Sequence, residues 1–298
     1  MQSIMMHRVT ERLGKELRRD WVRVLFLWAV SLTLRYVSSL LCVIVAVSSS
    51  PAQLDAQRPF AGGEILQYKV KWNIFRLGTV VIRQETEGAD DSKMVRVFIS
   101  AESTPGIPFI DLFFENQALL ETETCRSREF ISEVGRKDKK RFLHHPIADN
   151  RLLLEEYTAD GISILDTLHH DVPLYDDPGL FMHLRHAGRS GRTVLIHSVM
   201  ERSVKTTSVT YEDETVELSV GDSERPLLCR KFRARANWSR PDYAGLTGEF
   251  EGWITEDDAA IPVKLEARIA IGSIRLELES VHRPGWPKAE LALDKGDR

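Results

Sequence analysis

From Gly62 onward the chain alternates apolar and polar side chains with a period of two, and this pattern constrains the fold more than any other feature of the sequence. The segment Glu64–Trp72 shows it first, with apolar residues at every second position: Leu66, Tyr68, Val70 and Trp72. Alternation of this kind is typical of strands with one buried face. Similar segments, separated by turn residues, recur to the end of the domain and predict about thirteen to fifteen strands.

One segment interrupts the strands and is predicted to be a helix. Asp176 or Asp177 can cap its start, Pro178 suits its first turn, and Gly188 lies just beyond its end. We therefore expect a mainly β fold, either an antiparallel barrel or a curved, clam-like sheet with one short helix covering an opening, preceded by an N-terminal signal or anchor segment. Such folds often enclose an apolar cavity.

The N-terminal segment 1–52 has the features of a secretory signal. It carries seven basic and three acidic residues, a net charge of +4. The whole chain has a net charge of −4, so the remaining residues carry −8. An apolar run, Tyr36–Val47, follows the basic residues, and Ser50 and Ala52 provide the small side chains that a signal peptidase requires. The sequence therefore predicts residues 62–281 as a single exported, periplasmic β-rich domain, with 282–298 as a tail.

An uncleaved anchor in the inner membrane is the alternative for the same segment. Residues 22–47 are long enough to span a bilayer, although Arg35 would then lie within the span at a cost of roughly 2.5–3.5 kcal/mol. In this case the N-terminal segment would be the chain's contact with the membrane. In both cases the β-rich domain lies outside the cytoplasm.

Two cysteines, Cys125 and Cys229, remain in the exported domain, each in a predicted strand. In an oxidising compartment they could form a disulfide. Two buried free thiols, packed as small apolar side chains, are the alternative.

Known catalytic and cofactor motifs are absent from the sequence. It contains neither GxSxG nor a glycine-rich nucleotide loop, and the near-neutral charge argues against nucleic-acid binding. His183 and His186 could share a helical face, with His169, His170 and Asp171 upstream, but this spacing matches no metal motif. Glu256-Asp257-Asp258 fits a solvated turn better than a pair of catalytic carboxylates. We therefore expect no catalytic residues, no metal and no cofactor.

Aromatic side chains are the best candidates for ligand contacts. If the sheet curves, some of them could line a pocket for an acyl chain or a glycan face. The candidates are Tyr68, Trp72, Phe109, Phe113, Phe114 and Trp253. Packing in the hydrophobic core would explain the same residues equally well.

The sequence resembles the domain of unknown function 3108 family. The resemblance begins at Gly63–Trp72 and is clearest at Gly252–Asp258 and Ile261–Ala267, with a further match at Ile271–Ile274. It implies an exported, mostly β protein of Gram-negative bacteria without an established reaction. The segment Leu143–Arg151 and the histidines depart from the family's pattern.

Three functions are compatible with these features. The first is a non-enzymatic envelope protein that binds an apolar or amphipathic molecule, such as a lipid, or scaffolds envelope assembly with an envelope protein. The second is a structural module for protein–protein interaction, which predicts an exposed apolar patch or an open sheet edge. The third is a hydrolase acting on envelope polysaccharide or lipid, which requires acidic or metal-binding residues to converge in one cleft.

Overall fold

The structure, a computed structural model, describes residues 59–86, 93–106, 113–135, 140–148, 150–187, 192–200, 203–220, 226–236, 246–269, 272–284 and 286. The described part of the chain forms fourteen strands and one helix, α1 (Asp177–Ala187). The strands are β1 (Ile65–Trp72), β2 (Phe75–Thr86), β3 (Met94–Ser103), β4 (Phe113–Glu121), β5 (Ser127–Val134), β6 (Lys140–Ala148), β7 (Arg151–Thr158), β8 (Gly161–His169), β9 (Thr193–Met200), β10 (Ser203–Leu218), β11 (Leu227–Ala236), β12 (Leu246–Thr255), β13 (Pro262–Ile269) and β14 (Ser273–His282). The predicted signal or anchor segment lies outside the described residues.

All fourteen strands belong to one antiparallel sheet. Its order is β8-β7-β6-β5-β4-β3-β2-β1-β14-β13-β12-β11-β10-β9, so each strand pairs with its neighbour in sequence and β1 pairs with β14. The sheet does not close, because β8 and β9 form its two ends. The chain crosses between these ends through residues 170–176 and α1. A mainly β, clam-like sheet with one helix is therefore the observed fold.

One face of the sheet forms the hydrophobic core, and α1 packs against that face. Side chains alternate between buried and partly exposed along most strands, as in β3 and β4. Helix α1 buries Leu180, Phe181, Met182 and Leu184. It contacts both halves of the sheet, since Asn116 in β4 donates to Asp177 at 2.5 Å and Tyr211 in β10 donates to the carbonyl of Leu184 at 3.2 Å. The helix thus fills the concave side of the open sheet.

Three predicted boundaries differ from the structure. The sequence predicts a strand at Gln117–Cys125, whereas β4 runs from Phe113 to Glu121. The alternation of the sequence predicts two separate strands at Val204–Tyr211 and Thr215–Val220, whereas the structure has the single strand β10, whose pairing with β11 shifts register between Tyr211 and Thr215. Strand β14 continues through His282, and Trp286 packs against the core, so ordered structure extends into the predicted tail. In β10, pairing with β11 continues the strand past a local turn signal.

No helix in the described ranges is both long enough and apolar enough to cross a membrane.

Candidate functional site

A cavity of about 720 Å³ lies between the two ends of the sheet. Its wall is formed by the β4–β5 connection, the β6–β7 hairpin, the segment that leads into α1, and β9. Polar and charged lining residues are Glu121, Arg126, Ser127, Arg128, His144, Asn150, His170, Asp171, Tyr175 and Asp176. Apolar lining residues are Pro146, Leu152, Val172, Pro173, Leu174 and Val199. The cavity is therefore amphipathic, and its volume falls in the roughly 300–1,000 Å³ range of small-molecule sites.

The segment between β8 and α1 is fixed by backbone contacts with β9. The backbone N–H of Tyr175 donates to the carbonyl of His197 at 3.1 Å, and the N–H of Val199 donates to the carbonyl of Tyr175 at 3.3 Å. These bonds make an isolated parallel bridge between Tyr175 and Ser198. Upstream, the ring of His170 contacts the carbonyl of Val172 at 2.7 Å. One side of the cavity is thus held by hydrogen bonds across the opening of the sheet.

Asp176 is a buried carboxylate in the cavity wall. It is 9% exposed and caps α1, because its Oδ1 accepts a hydrogen bond from the N–H of Gly179 at 2.9 Å. Burial raises the pKa of Asp176 to about 6, despite the lowering effects of Ser127 and of backbone N–H groups. Within the described chain, no lysine or arginine forms an ion pair with this carboxylate. Asp176 therefore carries a negative charge at neutral pH in a site that solvates it poorly.

Two further polar atoms of the wall are buried without a hydrogen-bond partner among the described residues. These atoms are Nδ1 of His144 and Oγ of Ser127. Ser127 lies close enough to Asp176 to lower its pKa, but its hydroxyl does not reach hydrogen-bonding geometry. Burial, together with the neighbouring His145, lowers the pKa of His144 to about 4, so this imidazole is neutral at pH 7. Buried polar atoms without partners are costly, and a bound molecule with donors and acceptors would satisfy them.

Arg126 supplies an exposed positive charge at the cavity. Its guanidinium lies beside the hydroxyl of Tyr175 and lowers the pKa of that phenol, although burial raises the value overall to about 12. Tyr175 in turn stacks on His183 of α1, with 4.6 Å between the ring centres. Burial lowers the pKa of His183 to about 3, with smaller contributions from His186 and Arg126. Arg126 forms no ion pair with a carboxylate in the described part of the protein.

Three carboxylates, those of Glu121, Asp171 and Asp176, share the cavity wall. This convergence is the feature that the hydrolase interpretation required. Glu121, however, is ion-paired with Arg128, and Asp176 caps α1. No group of three or more His, Cys, Asp or Glu residues in the described ranges is arranged to hold a metal ion.

The aromatic residues predicted as ligand contacts do not meet at this cavity. Tyr68 and Phe114 are buried in the core, and the Tyr68 hydroxyl donates to the carbonyl of Pro262 at 2.9 Å. Trp72 and Phe113 are partly buried on their strands. Phe109 lies outside the described residues. None of the described candidates lines the cavity wall.

Trp253 has a different environment from the other candidates. Its ring lies between two ammonium groups, with Nζ of Lys231 at 5.0 Å and Nζ of Lys264 at 4.6 Å from the ring centre. The adjacent residues Gly252 and Ile254 are buried, so the indole lies on the opposite face of β12. Cation–π contacts and partial packing against the core account for this side chain.

The possible disulfide between Cys125 and Cys229 is not formed. Both cysteines are free and buried. The thiol of Cys229 donates to the carbonyl of Leu227 at 3.4 Å, and burial raises the pKa of both thiols to about 12. The two side chains pack as small apolar groups in the interior.

The residues that line the cavity come mainly from turns and from the segment before α1. The sequence indicates His170 and Asp171 only as weak candidates for metal ligands, and Asp176 only as a helix cap. Arg126 and Ser127 gave no periodic signal because they lie where β4 turns into β5. The clustering of His169, His170 and Asp171 just before a predicted helix was the available indication that this segment is chemically distinctive.

Comparisons with known proteins support the fold alone. No family model and no curated protein sequence matches the chain. The β-barrel-like protein of domain of unknown function 1849 from Brucella abortus is similar in structure, with a TM-score of 0.50 and 10% identity over 76% of this chain and 99% of that protein. A Bacteroides fragilis protein with a YmcC-like fold covers the same share of this chain, and 98% of its own length, at 11% identity and a TM-score of 0.35. The former likeness supports a barrel-like β fold, and membership of the 3108 family is not shown.

Proposed function

We propose that this protein is an exported, non-enzymatic β protein that binds one amphipathic molecule of the cell envelope in the cavity between the ends of its sheet. The observation that carries the proposal is the composition of the cavity wall. The wall combines apolar side chains, among them Leu152, Leu174 and Val199, with the unpartnered buried atoms of His144 and Ser127. A molecule with an apolar chain and a polar head matches this mixture.

The expected location rests on the N-terminal segment. A basic region, the apolar run Tyr36–Val47 and small residues at Ser50 and Ala52 form the pattern of a secretory signal. Export would bring the β domain into the compartment where free envelope amphiphiles need a protein partner, because their apolar chains are poorly soluble in water. The motifs that resemble the 3108 family in the sequence imply the same location.

Native mass spectrometry of the protein purified from the periplasm, combined with lipid extraction, tests this proposal. We expect an added mass that corresponds to one amphiphile per chain, and loss of that mass in a Leu174→Arg variant. The exposed Leu228→Arg on β11, which lies away from the cavity, is the matched control. A clean apo mass, together with no binding of added amphiphiles, would contradict the proposal. Chemical turnover of the bound molecule would favour the hydrolase instead.

The open edge of the sheet favours a second candidate, a protein–protein interaction module. Strand β8 pairs only with β7 among the described strands, and Ile162 and Leu165 are 59% and 64% exposed. An uncovered edge with apolar side chains can accept a strand from a partner. In this case, Leu165→Lys should disrupt an assembly seen by light scattering, and should leave amphiphile binding unchanged.

A further inference from the structure

The cavity contains two opposite charges that are not neutralised by the described part of the protein. The Asp176 carboxylate lies in the wall, held by the backbone N–H of Gly179 at 2.9 Å and without a cation beside it. The guanidinium of Arg126 lies beside the Tyr175 hydroxyl and has no carboxylate partner. The other charged pair of the wall, Arg128 and Glu121, is already joined in an ion pair. One buried carboxylate and one guanidinium therefore remain available to a ligand, and the exposed carboxylate of Asp171 lies in the same wall.

These two charges recognise different groups. A buried carboxylate is best compensated by a ligand ammonium, whose N–H groups donate to it. A guanidinium with free donors binds the oxygens of a phosphate or a carboxylate. Asp176 and Tyr175 are consecutive residues, and Arg126 lies against Tyr175, so both sites belong to one region of the wall. The apolar residues Val172 and Pro173 border the same region.

We infer that the amphiphile bound by this cavity carries a zwitterionic head, with a primary ammonium at Asp176, an anionic group at Arg126, and its chain along the apolar wall. The neutral imidazole of His144 and the hydroxyl of Ser127 add hydrogen bonds to the head, because both are buried at the cavity without partners. This inference rests on the proposed function. A phosphoethanolamine lipid and an alkyl amino acid share the required chemistry.

Calorimetric titration of the purified protein with single-chain probes tests the inference. Lysophosphatidylethanolamine carries an ammonium and a phosphate, lysophosphatidylglycerol carries only the phosphate, and monoacylglycerol carries neither. 2-Aminohexadecanoic acid carries an ammonium and a carboxylate, and it distinguishes the two sources of a zwitterion. We expect lysophosphatidylethanolamine, 2-aminohexadecanoic acid or both to bind at least about tenfold more tightly than lysophosphatidylglycerol. A difference of this size is what one charge-assisted hydrogen bond provides.

Two variants assign the charges to residues. Asp176→Asn retains a side chain that caps a helix and removes the negative charge. It should weaken binding of the zwitterionic probe about tenfold and leave lysophosphatidylglycerol binding unchanged. Arg126→Gln, an exposed position, should weaken both phospholipids about equally. Circular dichroism checks that both variants are folded.

The outcomes separate this inference from the proposed function. Equal affinity for lysophosphatidylethanolamine and lysophosphatidylglycerol, unaffected by Asp176→Asn, would overturn the zwitterionic head and leave amphiphile binding intact. Failure of every probe, monoacylglycerol included, would overturn both.

Discussion

Arg185 of α1 and Glu64, the residue before β1, form a fully buried, two-pronged ion pair. The guanidinium donates to both carboxylate oxygens, at 2.5 and 2.9 Å, and the two side chains are 0% and 1% exposed. Arg185 also donates to the carbonyls of Ala259 and Ala260 in the β12–β13 connection, and Arg283 binds the same carboxylate. This network ties α1 to the residue before β1, to the β12–β13 connection and to Arg283 just after β14.

Removing one charge from this pair should destabilise the protein strongly. Glu64→Gln leaves the buried guanidinium without its counter-charge, and we expect a loss of roughly 3–5 kcal/mol in the free energy of unfolding, measured by urea denaturation. Burial alone would raise the pKa of Glu64, but the charges and hydrogen bonds of Arg185 and Arg283 outweigh it and lower the pKa. The stabilisation that the ionised Glu64 provides is therefore complete above the ordinary glutamate pKa. It is lost as the pH falls from that value through the lower pKa of the folded state.

Glu279→Gln is the matched control for Glu64→Gln. Glu279 pairs with Arg76 at 2.7 Å on the outer surface, where both side chains are solvated, and its removal should cost about 1 kcal/mol or less. Similar losses for both variants would show that the buried pair has no special role.

A close contact between Gly252 and Phe232 gives a second prediction. A Cβ at Gly252 would lie 2.3 Å from Cζ of the Phe232 ring, which crosses over the glycine from the neighbouring strand. Gly252→Ala should therefore destabilise the protein by about 1–3 kcal/mol, as overpacking of a core does. In a Phe232→Leu background the same substitution should cost clearly less. Additive effects in this double-mutant cycle, measured by urea denaturation, would contradict the contact.

The strands could be predicted from sequence better than the site, and the reason is physical. Alternation in Glu64–Trp72 reports burial of one face directly, and Leu66, Tyr68 and Val70 are indeed buried. Asp176 and Pro178 likewise indicated the start of α1. A cavity between the ends of a sheet depends on how fourteen strands curve, which no local pattern contains. The pairing of β5 with β6 brings Ser127 near His144, but Val199 of β9 joins them only through the fold of the whole sheet.

Aromatic residues were a poor guide to the cavity for a related reason. Large rings contribute most to burial, so a ring in a strand usually packs in the core. Tyr68 and Phe114 do so here. The polar atoms that remain without partners, such as Nδ1 of His144, are visible only in the folded protein.

The two cysteines should be unreactive while the protein is folded. Both are buried, and burial raises the pKa of each thiol to about 12, so the reactive thiolate is scarce at pH 8. Iodoacetamide should label Cys125 and Cys229 only after denaturation without reductant, as read by peptide mass spectrometry. Peptides joined by a disulfide between these residues would contradict the structure.

Acid should destabilise the protein partly through His183. Its pKa is about 3 in the folded state and 6.5 ordinarily, so the unfolded chain binds a proton first. The contribution of neutral His183 to the free energy of unfolding is complete above about pH 6.5. It falls by about 1.4 kcal/mol per pH unit as the pH drops toward 3. His183→Phe keeps a ring on Tyr175 and should flatten the dependence of unfolding free energy on pH between 7.5 and 5. The exposed His282→Asn is the control, and an unchanged slope in His183→Phe would contradict the prediction.

Asp176 should reduce stability at neutral pH, as expected of a side chain kept for binding. Its folded-state pKa is about 6, above the ordinary 3.8, so the unfavourable contribution is absent below about pH 3.8 and grows as the pH rises through 6. Asp176→Asn keeps a capping side chain and removes the buried charge, and should raise the free energy of unfolding by about 1–3 kcal/mol at pH 7.5. At pH 4 the two proteins should be nearly equal. Asp176→Ala, which also loses the cap to Gly179, should be about 1 kcal/mol less stable than Asp176→Asn at both pH values. Urea denaturation at the two pH values measures the free energy of unfolding of all three proteins. A loss of stability in Asp176→Asn at pH 7.5 would show that the Asp176 carboxylate stabilises the fold, and would contradict the prediction.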